Sequence, residues 1–134
     1  MSDRPTPDLS GRTVLVIDDH DDALYVLTTF LAHRRARVIG ANSADEARDV
    51  LAHTTPDIIL TDLHMPRESG VEFLSWLRTA APPHLKHIPV VGISASSDYT
   101  SPDAARSFTA YFGKPTDYDE VCVTVDSLLR GTTV

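Results

Sequence analysis

Residue types able to do chemistry stand at the ends of short apolar runs in this chain. Val14-Leu15-Val16-Ile17 runs into Asp18-Asp19, Ile58-Ile59-Leu60-Thr61 into Asp62, Ile93 into Ser94, and Tyr111-Phe112-Gly113 into Lys114. Gathered in one pocket, these residues supply three carboxylates, a hydroxyl and an ammonium. Carboxylates within about 5 Å of one another repel by roughly 3 kcal/mol per pair at an effective dielectric near 20, so they require a cation. Oxygen-only ligands favour a hard ion such as Mg²⁺, which keeps several waters and accepts a phosphate oxygen as a further ligand. Lys114 adds a point positive charge, and Ser94 a donor that can follow a moving oxygen. A nucleophilic carboxylate, a divalent cation, an ammonium and a hydroxyl are the parts of phosphoryl transfer, where positioning and charge neutralisation do most of the catalysis. No Ser-His-Asp or Cys-His arrangement competes with this reading.

Such a pocket forms only if the strands lie side by side with their carboxyl ends at one edge, which is where ligands sit in an open parallel sheet. The chain supports that arrangement, because short β-rich apolar runs alternate with stretches of helical period in five β/α pairs, the pattern of a parallel sheet covered on both faces. Thr13–Ile17 is a continuous apolar run suited to a strand buried on both faces. Ala23, Leu24, Leu27, Phe30 and Leu31 then fall on one helical stripe facing the sheet. Arg37–Ala41 reads as the second strand, and Ser43 with Glu46 as a capping box opening a helix whose apolar face is Ala47, Val50 and Leu51 and which Thr55-Pro56 closes. The third strand is expected over Asp57–Thr61, ending at Asp62, followed by a break at Met65-Pro66 and Gly70. Phe73, Leu74 and Leu77 mark a third helix with Trp76 at the edge of its stripe, ended by Pro82-Pro83. Ile88–Ile93 gives the fourth strand, Ser101-Pro102-Asp103 a short helix start, Phe108–Phe112 the fifth strand and Lys114-Pro115 a turn. Asp117 with Glu120 caps a last helix carrying Val121, Val125, Leu128 and Leu129 inward.

Composition narrows the function. With 134 residues, 42% of them hydrophobic, the chain fits one domain with a real core. Twelve Lys plus Arg against 19 Asp plus Glu leave a net charge of −7, and no basic run offers a nucleic-acid surface. No apolar stretch is long enough to span a bilayer, so a cytoplasmic protein without a membrane segment is expected. Cys122 is the single cysteine, read as a small hydrophobe on a helix and unable to form an intramolecular disulfide. Residues 1–10, polar and proline-containing, read as a flexible N-terminal tail, residues 11–131 as the folded domain and residues 132–134 as a C-terminal tail.

From about Arg12 to Arg130 the chain resembles the receiver domains of bacterial two-component response regulators and hybrid histidine kinases. Several motifs in order carry the resemblance: Val14-Leu15-Val16-Ile17-Asp18-Asp19; Ile58-Ile59-Leu60-Thr61-Asp62-Leu63-His64-Met65-Pro66 followed by Gly70; Ile93-Ser94-Ala95; and Tyr111-Phe112-Gly113-Lys114-Pro115. The implied fold is a single doubly wound (βα)5 flavodoxin-like α/β domain with a parallel sheet of strand order 2-1-3-4-5. The resemblance further implies that Asp62 is the phosphoacceptor and that Asp18, Asp19, Asp62 and the His64 backbone carbonyl hold Mg²⁺. Ser94 and Lys114 would contact the phosphoryl group, and Ser94 with Tyr111 would form the switch. The implied function is a phosphoacceptor module of a phosphorelay whose only chemistry is self-phosphorylation and autodephosphorylation, not an enzyme acting on other substrates. Its donor would be a sensor histidine kinase or a histidine phosphotransfer protein, and its signal would leave through an output partner not identified by the sequence, through dimerisation or by onward transfer.

Departures from the family lie between Ser94 and Lys114, where the gap is a residue or two short and Ser107-Phe108 replaces Gly-Ala. The helix after Pro102 offers only Ala104, Ala105 and Phe108 as an inner face, so phosphorylation is expected to order the 95–110 segment. Alternatives are a receiver fragment of a hybrid histidine kinase, as Leu9-Ser10-Gly11-Arg12 suggests, and a degenerate receiver acting as a scaffold. A phosphatase of the haloacid-dehalogenase kind is disfavoured, because Asp19-His20-Asp21-Asp22 lacks the final residue of that pattern and the chain has no cap insertion. Asp21 and Asp22 read as first-turn helix acids. The six histidines show no ligand spacing on one element and argue against a zinc cluster.

Overall fold

The computed structural model describes residues 7–95, 108–114 and 117–131, with Ala95 and Lys114 described by backbone alone. Five parallel strands, β1 (Thr13–Ile17), β2 (Arg37–Ala41), β3 (Ile58–Asp62), β4 (Val90–Ala95) and β5 (Ala110–Lys114), form one sheet in the order β2-β1-β3-β4-β5. Among the described residues four α-helices lie between and after them: α1 (Asp21–His33), α2 (Ala44–Leu51), α3 (Gly70–Thr79) and α4 (Tyr118–Arg130), with a 3₁₀ turn at Pro83–Leu85. The expected doubly wound parallel sheet is therefore the observed one. The helix expected after Pro102 lies outside the described residues.

Side chains alternate across each strand, so one apolar strand feeds two cores. Leu15, Ile17, Ile59 and Val90 point to the face covered by α2 and α3, where Phe73, Leu74 and Leu77 complete the packing. Val14, Val16, Ile58, Leu60, Val91 and Ile93 point to the other face, against Leu27 and Leu31 of α1 and Val121, Cys122 and Val125 of α4. At about 1.5–3 kcal/mol for each large aliphatic side chain buried, these layers dominate the stabilisation and hold the carboxyl edge of the sheet in place.

Several boundaries differ from the sequence reading. β3 is shifted by one residue, starting at Ile58 rather than Asp57 and ending on Asp62, which pairs with Ile93 of β4 because the backbone ladder continues whatever the polarity of the side chain. β4 starts at Val90 rather than Ile88, since Pro89 has no N–H to give a ladder; its carbonyl instead accepts from Ile59 N–H at 3.0 Å. β5 is shifted by two residues and takes in Lys114, which was read as part of a turn. A shift of two keeps every side chain on its face. Phe108 precedes β5 and fills the space over Gly92, where a Cβ would come within 3.2 Å of the Phe108 ring.

Helix ends and faces differ as well. α2 stops at Leu51, short of Thr55-Pro56, and Ser43 accepts from Glu46 N–H as expected. The Glu46 carboxylate, however, takes the N–H of Asn42 at 3.3 Å instead of closing a box on Ser43. A full capping box forms at Ser69 and Glu72 of α3 instead. Phe30, placed on the inner stripe of α1, is 36% exposed and lies against the ring of Tyr118 with centroids 5.0 Å apart. Leu9, in the segment read as tail, is 1% exposed, and its N–H donates to Arg34 O at 2.7 Å. One leucine among polar residues has no periodicity to announce its burial.

Candidate functional site

β1 delivers its two aspartates directly at the sheet edge. Asp18 is 5% exposed, its N–H donates to Ala41 O of β2 at 3.0 Å, and its Oδ1 accepts from the His20 N–H at 2.9 Å. These two bonds fix the chain as it leaves the strand. Asp19 follows with its side chain 21% exposed, yet its Oδ1 is buried and accepts no hydrogen bond among the described residues. A desolvated carboxylate oxygen with no donor is costly unless a cation completes it.

β3 supplies Asp62, which is 5% exposed and sits between β1 and β4. The loop after it is held tightly. Leu63 N–H donates to Ile93 O at 3.2 Å and Gly70 N–H to Leu63 O at 2.8 Å, which turns the chain back onto the strand end. Gly70 is required there, because a Cβ would stand 2.3 Å from the Asp62 carbonyl oxygen. His64 is exposed, and its N–H approaches Asp62 Oδ1 at 3.4 Å, so its backbone lies beside the carboxylate.

Arg48 pins the far side of this loop from α2. Its guanidinium pairs with Asp45 at 3.1 Å and with Glu68, and lies 4.8 Å from the Trp76 ring centroid and 5.8 Å from that of Phe73. Sequence reasoning did not single out Arg48, since a charge on a helix surface carries no local sign that it crosses to another loop. Trp76, read as a packing residue at the helix edge, is partly buried in that role.

Ser94 is fully buried at the end of β4, one residue beyond the Asp62–Ile93 pair. Lys114 ends β5 opposite Ala95, so its backbone reaches the same edge. Tyr111, opposite Gly92, packs on the α2/α3 side with its ring centroid 6.5 Å from that of Phe108. The structure thus brings Asp18, Asp19, Asp62 and Ser94 to one edge with the backbone of Lys114. It adds a residue that the sequence reading set aside. The His20 Nδ1 lies 3.3 Å from Asp19 Oδ1, 3.4 Å from Asp18 Oδ1 and 3.9 Å from Asp62 Oδ2. The side chains of Asp18, Asp19, His20 and Asp62 each offer a ligand atom, all within 4.8 Å of one another. That span, with an Asp19 oxygen buried and accepting no hydrogen bond among the described residues, fits a six-coordinate divalent cation with ligands at about 2.1 Å. Asp21 and Asp22 occupy the first turn of α1, as expected.

A five-stranded parallel sheet of this order, with buried acids at its carboxyl edge, defines a receiver-type α/β domain. The family model of the response regulator receiver domain matches residues 14–126, and the chain belongs to this family of two-component signalling domains. It is 33% identical over 94 residues to the sensory/regulatory protein RpfC of Xanthomonas campestris, covering 70% of this chain but 12% of RpfC. The polar-differentiation response regulator DivK of Brucella ovis is 27% identical over 120 residues, which cover 88% of this chain and 96% of DivK. The solved receiver domain of a Francisella response regulator is 25% identical with a TM-score of 0.80, covering 92% of this chain and 100% of that one. No helix among the described residues is long and apolar enough to cross a membrane.

Proposed function

We propose that Asp62 accepts the phosphoryl group and that Asp18, Asp19, Asp62 and the His64 backbone carbonyl hold Mg²⁺ beside it. The observation that carries this reading is a carboxylate 5% exposed at a strand end, within 4.8 Å of the Asp18 and Asp19 ligand atoms. An Asp62 oxygen attacks phosphorus in line, the bond from phosphorus to the donor breaks, and the donor leaves with that electron pair. Bound Mg²⁺ neutralises charge on the carboxylates and on the transferring oxygens. Ser94 and Lys114 hold the new phosphoryl group. The phosphoryl group is lost when water attacks phosphorus, the bond to the Asp62 oxygen breaks and the carboxylate leaves with that electron pair, so autodephosphorylation is the module's only other chemistry.

The donor is a sensor histidine kinase or a histidine phosphotransfer protein, and the domain works in the cytoplasm. Ser94 and Tyr111 relay occupancy to the segment after β4, whose residues 96–107 lie outside the described ones, and through it to an output partner. The test is intact mass after incubation with acetyl phosphate and Mg²⁺. Wild type gains one phosphoryl group, which Asp62→Asn does not gain and which requires the metal; full labelling of the variant would sink the assignment. Amide exchange with a beryllofluoride mimic checks the relay, with residues 95–110 gaining more protection than α1.

A further inference from the structure

Three oxygens and one nitrogen meet at the end of β1 and β3, and the nitrogen changes which ions the site should take. We propose that His20 Nδ1 is a ligand of this site and that the site binds first-row divalent transition ions through it, in competition with Mg²⁺. The inference rests on the acidic site being a cation site, as argued above.

Geometry gives the first argument. Adjacent ligands of a six-coordinate ion with bonds of about 2.1 Å lie about 3.0 Å apart, and opposite ones about 4.2 Å. Nδ1 stands 3.3 and 3.4 Å from one oxygen each of Asp19 and Asp18, near the spacing of adjacent ligands, and 3.9 Å from one of Asp62, near that of opposite ones. The backbone favours this placement. His20 is the N-cap of α1 in extended conformation, and its N–H is tied to Asp18 Oδ1 at 2.9 Å, so its main chain is held beside the acids and the ring is within reach of them. Its ring is also free to adjust, with a side chain 68% exposed.

Ligand chemistry gives the second. Imidazole adds little to Mg²⁺, which prefers oxygen and holds its waters, but it suits the later first-row ions, whose affinity for nitrogen rises along the series. An imidazole serving only as a counter-charge to the acids would treat all divalent ions alike. The two roles therefore separate by selectivity.

The experiment is calorimetric titration of Mg²⁺ and of Co²⁺ into wild type, His20→Ala, His20→Gln and Asp19→Ala at pH 8. His20→Ala and His20→Gln should each weaken Co²⁺ by about tenfold or more while changing Mg²⁺ less than about twofold. Asp19→Ala should weaken both ions. In proton NMR of the Co²⁺ protein, a strongly shifted, solvent-exchangeable imidazole N–H should appear and be lost in both His20 variants. Equal effects of the His20 variants on the two ions, or no effect on Co²⁺, would overturn the ligand role while leaving the acidic site intact. Failure of Mg²⁺ to bind wild type at all would remove the parent reading, and this inference with it.

Discussion

The two connections that bring carboxylates to the site are built on opposite plans. Between β1 and α1 only Asp18, Asp19 and His20 intervene, and two short-range bonds shape the chain, one to the neighbouring strand and one to its own side chain: Asp18 N–H to Ala41 O of β2, and His20 N–H to Asp18 Oδ1. Between β3 and α3 run seven residues, Leu63 to Ser69, and their shape is imposed from elsewhere. Leu63 and Met65 are buried in the core, Arg67 adopts a left-handed φ of 72°, Gly70 closes the loop on Leu63, and Arg48 holds Glu68 from α2. A short connector inherits its geometry from strand and helix. A long one needs anchors, so mutations that cost the site its stability should concentrate there.

The largest effect should come from Gly70→Ala. With its Cβ 2.3 Å from the Asp62 carbonyl, the loop or the strand end must move, and the protein should lose about 3 kcal/mol in denaturant unfolding. Gly113→Ala is the control, since its Cβ would meet nothing within 4 Å among the described residues. A small loss at Gly70 would mean that the long loop is more pliant than its contacts indicate.

Arg48→Ala should cost less, about 1–2 kcal/mol, because its ion pairs are partly solvated and its stacking on Trp76 and Phe73 is lost with them. Its sharper signature is local. Amide exchange should quicken across residues 64–69 and remain unchanged across 18–20, whereas a uniform change would dissolve the contrast between the two loops. The smallest stability effect belongs to the short connector. Asp19→Ala removes an acid that repels Asp18 and Asp62, so in the absence of divalent ions unfolding should cost up to about 1 kcal/mol more, while Mg²⁺ affinity falls. A loss of stability in that variant would show that Asp19 is satisfied without metal.

The same contrast explains what could be read in the sequence. The sheet was legible because Thr13–Ile17 and Ile58–Leu60 are unbroken β-rich runs, and Asp18, Asp19, Asp62 and Ser94 were legible because they stop such runs. Residues that act across the fold were not. Arg48 reaches a loop 20 positions away, and Leu9 buries itself against the end of α1, without any local pattern. His20 was discounted because metal-ligand spacing was sought between histidines, whereas the groups beside its ring are aspartates at the ends of two different strands. The capping box at Ser69 and Glu72 was hidden by Gly70, which reads as a break although it begins the helix.

The central claim is that one carboxylate, at the end of β3, takes the phosphoryl group. Borohydride reduces an acyl phosphate to the alcohol, converting a phosphorylated aspartate to homoserine at its own position. After treatment with acetyl phosphate, Mg²⁺ and borohydride, peptide mass mapping should find homoserine at residue 62 and leave Asp18, Asp19 and Asp57 unchanged. Homoserine at residue 18 or 19, or labelled protein with Asp62 intact, would contradict the account.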